Sequence, residues 1–293
     1  MVEDQNRQPL LVDVAWLAEH LGESGLRVFD ATVHLLRPPE GGPYEVKSGR
    51  QSYQPAHIPG AAFADLAGEL ADPDSPFHFT VPSPERFSAA AGRLGIGPGV
   101  HVIAYAQDTP MWATRLWWLL RFFGFDAVSV LDGGLPAWQA AGYELSDEPA
   151  SYPPARFQAQ PRPELLATRA DVEAVVDGSA RSCLVNALLP PIFRGEGITA
   201  YSRPGRIPGS VNAPWNAMVD PATNRFRSPA ELERELDAAG VSGPDPVIAY
   251  CGGGISATVD VFALSLVGRN DARLYDGSLT EWSHDPSLPL EVG

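Results

Sequence analysis

The feature that most constrains this chain is that it repeats itself. The stretch His57-Ile58-Pro59-Gly60-Ala61-Ala62-Phe63 returns as Arg206-Ile207-Pro208-Gly209-Ser210-Val211-Asn212. Ser83-Pro84, opening a helical stretch, returns as Ser228-Pro229, and Val130 to Trp138 returns as Leu274 to Trp282. Tyr105 corresponds to Tyr250, and Asp132 to Asp276, at nearly the same spacing. An internal duplication of this size means one fold built twice. Within each copy, short apolar runs such as Val102-Ile103-Ala104-Tyr105 alternate with amphipathic stretches such as Met111 to Phe123. That alternation predicts an α/β unit with a mainly parallel sheet flanked by helices. The proline-rich stretch 146–163 reads as a linker. It divides the chain into units 1–145 and 164–293.

The copies differ where it matters chemically. Val247-Ile248-Ala249-Tyr250 reads as a buried strand, followed by Cys251, three glycines and a helix reaching about Val267. Cys251 therefore stands at the mouth of a helix, where unpaired N–H groups and the helix dipole favour an anion. A thiolate is such an anion, and it is the nucleophilic form of cysteine. Gly252, Gly253 and Gly254 permit a backbone that turns several N–H groups, through Ile255, Ser256 and Ala257, toward one sulfur. The same residues also suit an inert buried thiol above a loose turn. The first copy has Ala106 at this position. In parallel sheets ligands sit beyond the carboxyl ends of strands, and Cys251 is at such an end.

Composition narrows the partners. The chain has 293 residues, 44% of them hydrophobic, and a formal net charge of −15 without any Lys/Arg-rich run. That excludes nucleic acid and anionic membranes as natural partners. No apolar stretch is long and uninterrupted enough to span a bilayer. Two cysteines, Cys183 and Cys251, do not make a disulfide framework. The polar, acidic start Met1 to Asn6 is unlike a signal peptide, so the expected setting is the cytoplasm.

With these residues in view, the sequence resembles the tandem rhodanese-type sulfurtransferases, over nearly its whole length. The resemblance rests on the paired Ile-Pro-Gly turns, on Asp132-Gly133-Gly134 with Trp138 and Asp276-Gly277-Ser278 with Trp282, and on the loop Cys251 to Ser256. It implies two rhodanese-like domains, the first non-catalytic with Ala106 in place of the cysteine. It also implies an active site near their interface and sulfane sulfur transfer through a Cys251 persulfide. The implied partners are a small donor, 3-mercaptopyruvate or thiosulfate, and a thiol, cyanide or protein acceptor. No cofactor and no metal are implied. Thiosulfate enzymes of this family tend to carry basic residues after the cysteine, whereas mercaptopyruvate enzymes carry Cys-Gly-Ser-Gly-Val-Thr. The uncharged loop here is similar to the second pattern.

Three departures stand out. The family's loop serine is Gly253, the acid closing the first strand of the catalytic domain is Asn186, and a substrate-binding arginine falls on Ile192. Arg194, Arg203 and Arg206 are candidates to replace that arginine, since a guanidinium pairs bidentately with carboxylates. His57 either faces the site from the first domain or anchors its own turn. Ser256 suits a helix cap, and Cys183, Trp138 and Trp282 suit the core. The alternatives are a non-catalytic rhodanese-like binding module or a sulfur carrier for one pathway. A cysteine phosphatase on the same scaffold would need an arginine at the end of the loop, where Ser256 stands.

Overall fold

A computed structural model of the chain describes residues 9–197, 200–241 and 243–293. Residues 1–8, on whose acidity the expectation of no leader peptide rests, lie outside the described residues. The first half contains β1 (Leu11–Val12), β2 (Leu26–Asp30), β3 (Val33–Leu36), β4 (Glu45–Ser48), β5 (Ala62–Phe63), β6 (His101–Tyr105) and β7 (Val128–Leu131). The second contains β8 (Leu166–Ala167), β9 (Cys183–Asn186), β10 (Val211–Asn212), β11 (Val247–Tyr250) and β12 (Arg273–Tyr275). Each half builds a five-stranded sheet, in the orders β1-β7-β6-β2-β5 and β8-β12-β11-β9-β10. All pairings in both sheets are parallel. The two sheets therefore have one topology, as a duplicated sequence requires.

The match extends to single hydrogen bonds. Tyr105 Oη accepts from Ile58 N–H at 3.3 Å, and Tyr250 Oη accepts from Ile207 N–H at 3.1 Å. Trp138 Nε1 donates to Glu144 O at 2.9 Å, and Trp282 Nε1 donates to Pro289 O at 2.8 Å. Asp30 Oδ1 accepts from Thr32 N–H, and Asn186 Oδ1 takes the same place under Leu188 N–H. Asparagine does this as well as aspartate, because only an acceptor oxygen is needed.

The helices are α1 (Val14–His20), α2 (Arg50–Tyr53), α3 (Pro84–Arg93), α4 (Met111–Phe122), α5 (Gly134–Ala140), α6 (Arg169–Val176), α7 (Pro190–Phe193), α8 (Pro229–Ala238), α9 (Ala257–Leu266) and α10 (Ser278–His284). Local signals explain most boundaries. Ser83 Oγ accepts from Arg86 N–H with Pro84 at the first turn, and Thr168 and Asp171 form a reciprocal cap on α6. α4 and α9, the helices that follow the central strands, pack on each other across the halves. Thr114 Oγ1 bonds Thr258 Oγ1 at 2.7 Å, and Trp117 meets Phe262 edge-on at 4.8 Å. One buried apolar cluster consequently runs through both halves.

The stretch 37–54, whose proline, glycine and polar residues suggest a surface loop, contains β4, which pairs antiparallel with β3 just before it, and the short helix α2. Its Pro- and Gly-rich turn hid a four-residue strand on either side. One expectation needs correction. The stretch 146–163 does not float between the halves. Tyr152 Oη accepts from Val28 N–H at 2.8 Å, Ala155 N–H donates to Gly92 O, and Gln160 N–H donates to Phe123 O, so it is laid along the first half.

Candidate active site

β11 is buried at all four positions and delivers Cys251 at its carboxyl end, 2% exposed. The turn that follows is held from α10 and the bend before it. Ser278 Oγ accepts from Cys251 N–H and Gly254 N–H, both at 3.1 Å, and donates to Tyr275 O at 2.8 Å. Thr280 gives Gly252 O two bonds, from Oγ1 at 2.6 Å and from N–H at 2.8 Å. Gly254 has φ +71°, and an added Cβ would lie 2.8 Å from both the carbonyl and a carboxylate oxygen of Asp276. Only glycine fits there without strain. Among the described residues, the N–H groups of Gly252, Gly253, Ile255, Ser256 and Ala257 have no protein acceptor. Buried backbone donors are seldom left so. Five of them in the turn beside one sulfur, at the mouth of α9, make a cradle for an anion.

The first half completes the site. Arg115 of α4, 1% exposed, reaches across to Asp276 Oδ1 at 2.7 Å and to Gly254 O at 3.0 Å, and also donates to Phe79 O. Asp276 Oδ2 in turn accepts from Val81 N–H at 2.9 Å. A buried guanidinium is thus fully employed in joining the cysteine turn to the other half. Over Cys251 lies a cavity of about 270 Å³. Its floor is the turn, with Cys251, Gly252, Gly253, Ile255 and Ser256. Its walls are Leu188, Ile192, Tyr201 and Trp215 from the second half and Leu35, Tyr44, Val46, His78, Phe79 and Met111 from the first. The Tyr201 hydroxyl packs so closely on Gly252 that a Cβ there would overlap it. Burial first, and Cys251 beside it second, push the Tyr201 phenol well above its ordinary value, so it stays protonated.

The model of the rhodanese-like domain matches residues 13–141 and 194–285, one segment in each half. The chain belongs to the rhodanese family. It is similar to the Escherichia coli K12 3-mercaptopyruvate sulfurtransferase, with 33% identity over 284 residues, 96% of this chain and 97% of the relative. The human 3-mercaptopyruvate sulfurtransferase is 35% identical over 284 residues, 93% of this chain and 91% of its own. The crystal structure of SseA from Escherichia coli superposes with a TM-score of 0.79 at 32% identity, covering 92% of this chain and 99% of that one. This rhodanese is a sulfurtransferase with two rhodanese-like domains.

The turn residues Gly252 to Ala257 are brought together with Cys251, as the sequence suggested. The four residues named for substrate binding are not. Arg194 is paired with Glu196 at 2.6 and 2.9 Å on the surface. Arg203 donates to the carbonyls of Trp282, Ser283, Asp285 and Leu288, tying down the C-terminal segment. Arg206 bonds Gly293 O, pairs with Glu291 and lies over the Phe193 ring at 4.6 Å. His57 is fully buried, stacked on Tyr53, with its ring nitrogens at Tyr53 O and Glu148 O, so it anchors its turn. Among the described residues none of the four lines the cavity. Ser256 also differs from expectation. It has helical dihedrals and makes no side-chain cap bond. The N–H groups such a cap would take, on Thr258 and Val259, bond Ile255 O and Ser256 O instead, while the Ser278 hydroxyl, at a left-handed φ of +50°, serves the turn before the helix. Cys183 pairs in register with Val247, four positions before Cys251, so it lies at the other end of the sheet, about 13 Å away at 3.3 Å per residue. Burial pushes the Cys183 thiol up, and Arg269 offsets only part of that.

Sequence reasoning missed Arg115, Asp276, Ser278, Thr280, Tyr201 and the first-half wall. Ser278 and Thr280 were within the repeat match, yet only their contacts with the turn reveal their use. Among the described residues no helix is long and apolar enough to cross a membrane, and no cluster of His, Cys, Asp or Glu suited to a metal is present.

Proposed function

We propose that Cys251 is the nucleophile of this sulfurtransferase and that the donor is 3-mercaptopyruvate, the compound in the names of its relatives, or thiosulfate. The thiolate attacks the outer sulfur of the donor. With thiosulfate the S–S bond breaks and sulfite leaves with the electron pair. With 3-mercaptopyruvate the C–S bond breaks, and the carbon takes a proton from water to leave pyruvate. Cys251 is then a persulfide, and a thiol, cyanide or protein acceptor removes the outer sulfur. Gly252, Gly253, Ile255, Ser256 and Ala257 stabilise the anion at each stage with their free N–H groups. The observation carrying this reading is that the cradle of unpaired amides and the cysteine share the floor of one cavity.

We further place the non-catalytic unit at 1–145, the connector at 146–163 and the catalytic unit at 164–293, with both family-model segments falling inside the two units. A cytoplasmic setting is supported by two free thiols. The test is mass spectrometry of the Cys251 peptide after incubation with either donor. One added sulfur atom on Cys251, lost on adding a thiol, is the expected result. Cys251→Ser is expected to lower turnover at least about a thousandfold, as removal of a covalent nucleophile does, and Cys183→Ser to leave it within about twofold. A chain that takes up no sulfur from either donor is instead a binding module of the same fold.

A further inference from the structure

The cavity over Cys251 is larger and less polar than these small donors require. Its described lining contains no Asp, Glu, Lys or Arg. Ile198 and Thr199, which precede the wall residues Ala200 and Tyr201 in sequence, carry no charge either. Where the resemblance places a substrate-binding arginine, Ile192 faces the cavity; Arg194, Arg203 and Arg206 are consumed elsewhere, and Arg37 lines only a smaller adjoining pocket beside Tyr44, Ile192 and Tyr201. The ring-bearing residues Tyr44, Phe79, Tyr201 and Trp215 surround the space above the sulfur. Its 270 Å³ approaches the lower end of the roughly 300–1,000 Å³ typical of pockets that enclose drug-sized ligands. An anionic donor is served by the amides on the floor, and the apolar space above them is left over. A carboxylate-bearing acceptor would lose hydration in that space with no Lys or Arg in the described lining to replace it. The chain's net charge of −15 adds repulsion.

We infer that the sulfur acceptor is a neutral thiol with an aromatic or branched apolar body, held by the wall that Ile192, Tyr201 and Trp215 form with the first half. This rests on the Cys251 persulfide reading. The acceptor thiolate attacks the outer sulfur, the Cys251 S–S bond breaks, and its electron pair returns to Sγ. The acceptor leaves as a hydropersulfide, and no oxidant or reductant is consumed.

The experiment loads the full chain with sulfur, confirms the Cys251 adduct by mass spectrometry, and measures second-order discharge by three thiols. These are 2-phenylethanethiol, 2-mercaptoethanol and mercaptoacetate, compared per thiolate at one pH. A rate for 2-phenylethanethiol at least tenfold above each of the others is expected, equivalent to about 1.4 kcal/mol. A smaller ratio overturns the inference, and the wild-type series is decisive without any variant. Ile192→Arg, at a half-exposed position on the wall, is expected to shift the ratio toward mercaptoacetate at least tenfold. A folded Ile192→Arg protein with an unchanged ratio also overturns it. Failure to form the adduct at all overturns the nucleophile assignment beneath, and so is distinguishable from failure of the acceptor inference.

Discussion

The turns after β6 and β11 began as one structure and now do different things. In the first, Gln107 N–H is satisfied by Thr32 Oγ1, Thr109 N–H by the Asp108 side chain, and Pro110 has no N–H to satisfy. In the second, five successive or near-successive donors are left for something the chain does not supply. The bends below them differ in the same sense. Gly134, at φ +56°, holds the left-handed position at no cost in the first half, whereas Ser278 is forced into it at +50° in the second. A strained backbone costs of order 1–3 kcal/mol. Here that strain places the Ser278 hydroxyl under the N–H groups of Cys251 and Gly254. The comparison shows that the fold tolerates a relaxed turn and that the second copy departs from it only around the thiol.

The central helices carry a parallel contrast. Arg115 of α4 is buried and donates from both terminal nitrogens, to Asp276, Gly254 O and Phe79 O. Its counterpart by sequence register in α9 is Asp260, fully buried with neither carboxylate oxygen hydrogen-bonded. Burial holds the Asp260 carboxyl well above the usual carboxylate range, so it is neutral in the folded protein.

Five substitutions probe these contrasts. Arg115→Met leaves the mostly buried Asp276, 12% exposed, beside no cation and should cost about 3 kcal/mol of stability in a denaturant titration, a loss that would join the halves energetically. A cost below about 1 kcal/mol would mean that the ion pair does not hold the cysteine turn. Ser278→Ala keeps the strained backbone and removes the acceptor shared by two buried N–H groups. It should cost about 1–3 kcal/mol and slow sulfur loading of Cys251 in a single-turnover measurement. Unchanged loading would show the bend to be merely structural.

Asp260→Leu should stabilise the protein by roughly 1–3 kcal/mol near neutral pH, since an unpaired buried polar group is removed. The sign with pH is definite. The folded state keeps a proton that the unfolded carboxyl loses above its ordinary value of 3.8, so wild-type stability falls as pH rises past that point. The advantage of Asp260→Leu should therefore grow from pH 3.8 upward and level off above the raised folded value. An advantage that shrinks over that range would reverse the assignment. The smallest effect is expected within the turn itself. Gly253 has negative or extended φ and only Thr280 Oγ1, at 3.9 Å, near an added Cβ. Gly253→Ala should change stability by no more than about 0.5 kcal/mol, while Gly254→Ala, at φ +71°, should be clearly unstable in the same melt.

Much of this was legible in advance because it is local. Apolar runs with period two or none, the helix starts at Ser83-Pro84 and Ser228-Pro229, and the doubled Ile-Pro-Gly turns each report burial or backbone angle at their own position. Cys251 was legible for the same reason, since strand, glycines and helix are contiguous. The Ser256 cap failed because Ser256 itself takes helical dihedrals, and the N–H groups of Thr258 and Val259 bond the carbonyls of Ile255 and Ser256. The arginines are engaged elsewhere, Arg194 by Glu196 two residues on and Arg203 and Arg206 by the C-terminal segment, which sequence spacing does not reveal.

The sequence by itself determined a doubled parallel α/β scaffold and one thiol set at a strand end before a helix. Only the tertiary structure decided what that thiol sees. The hairpin β3–β4, His78, Phe79 and Arg115 reach the site from well over a hundred residues away in sequence, and it is packing between α4 and α9 that brings them there. A side chain's own pattern records whether it is buried. Its partners, and therefore the charge and shape of the cavity, are set by contacts that exist only once the two halves close on each other.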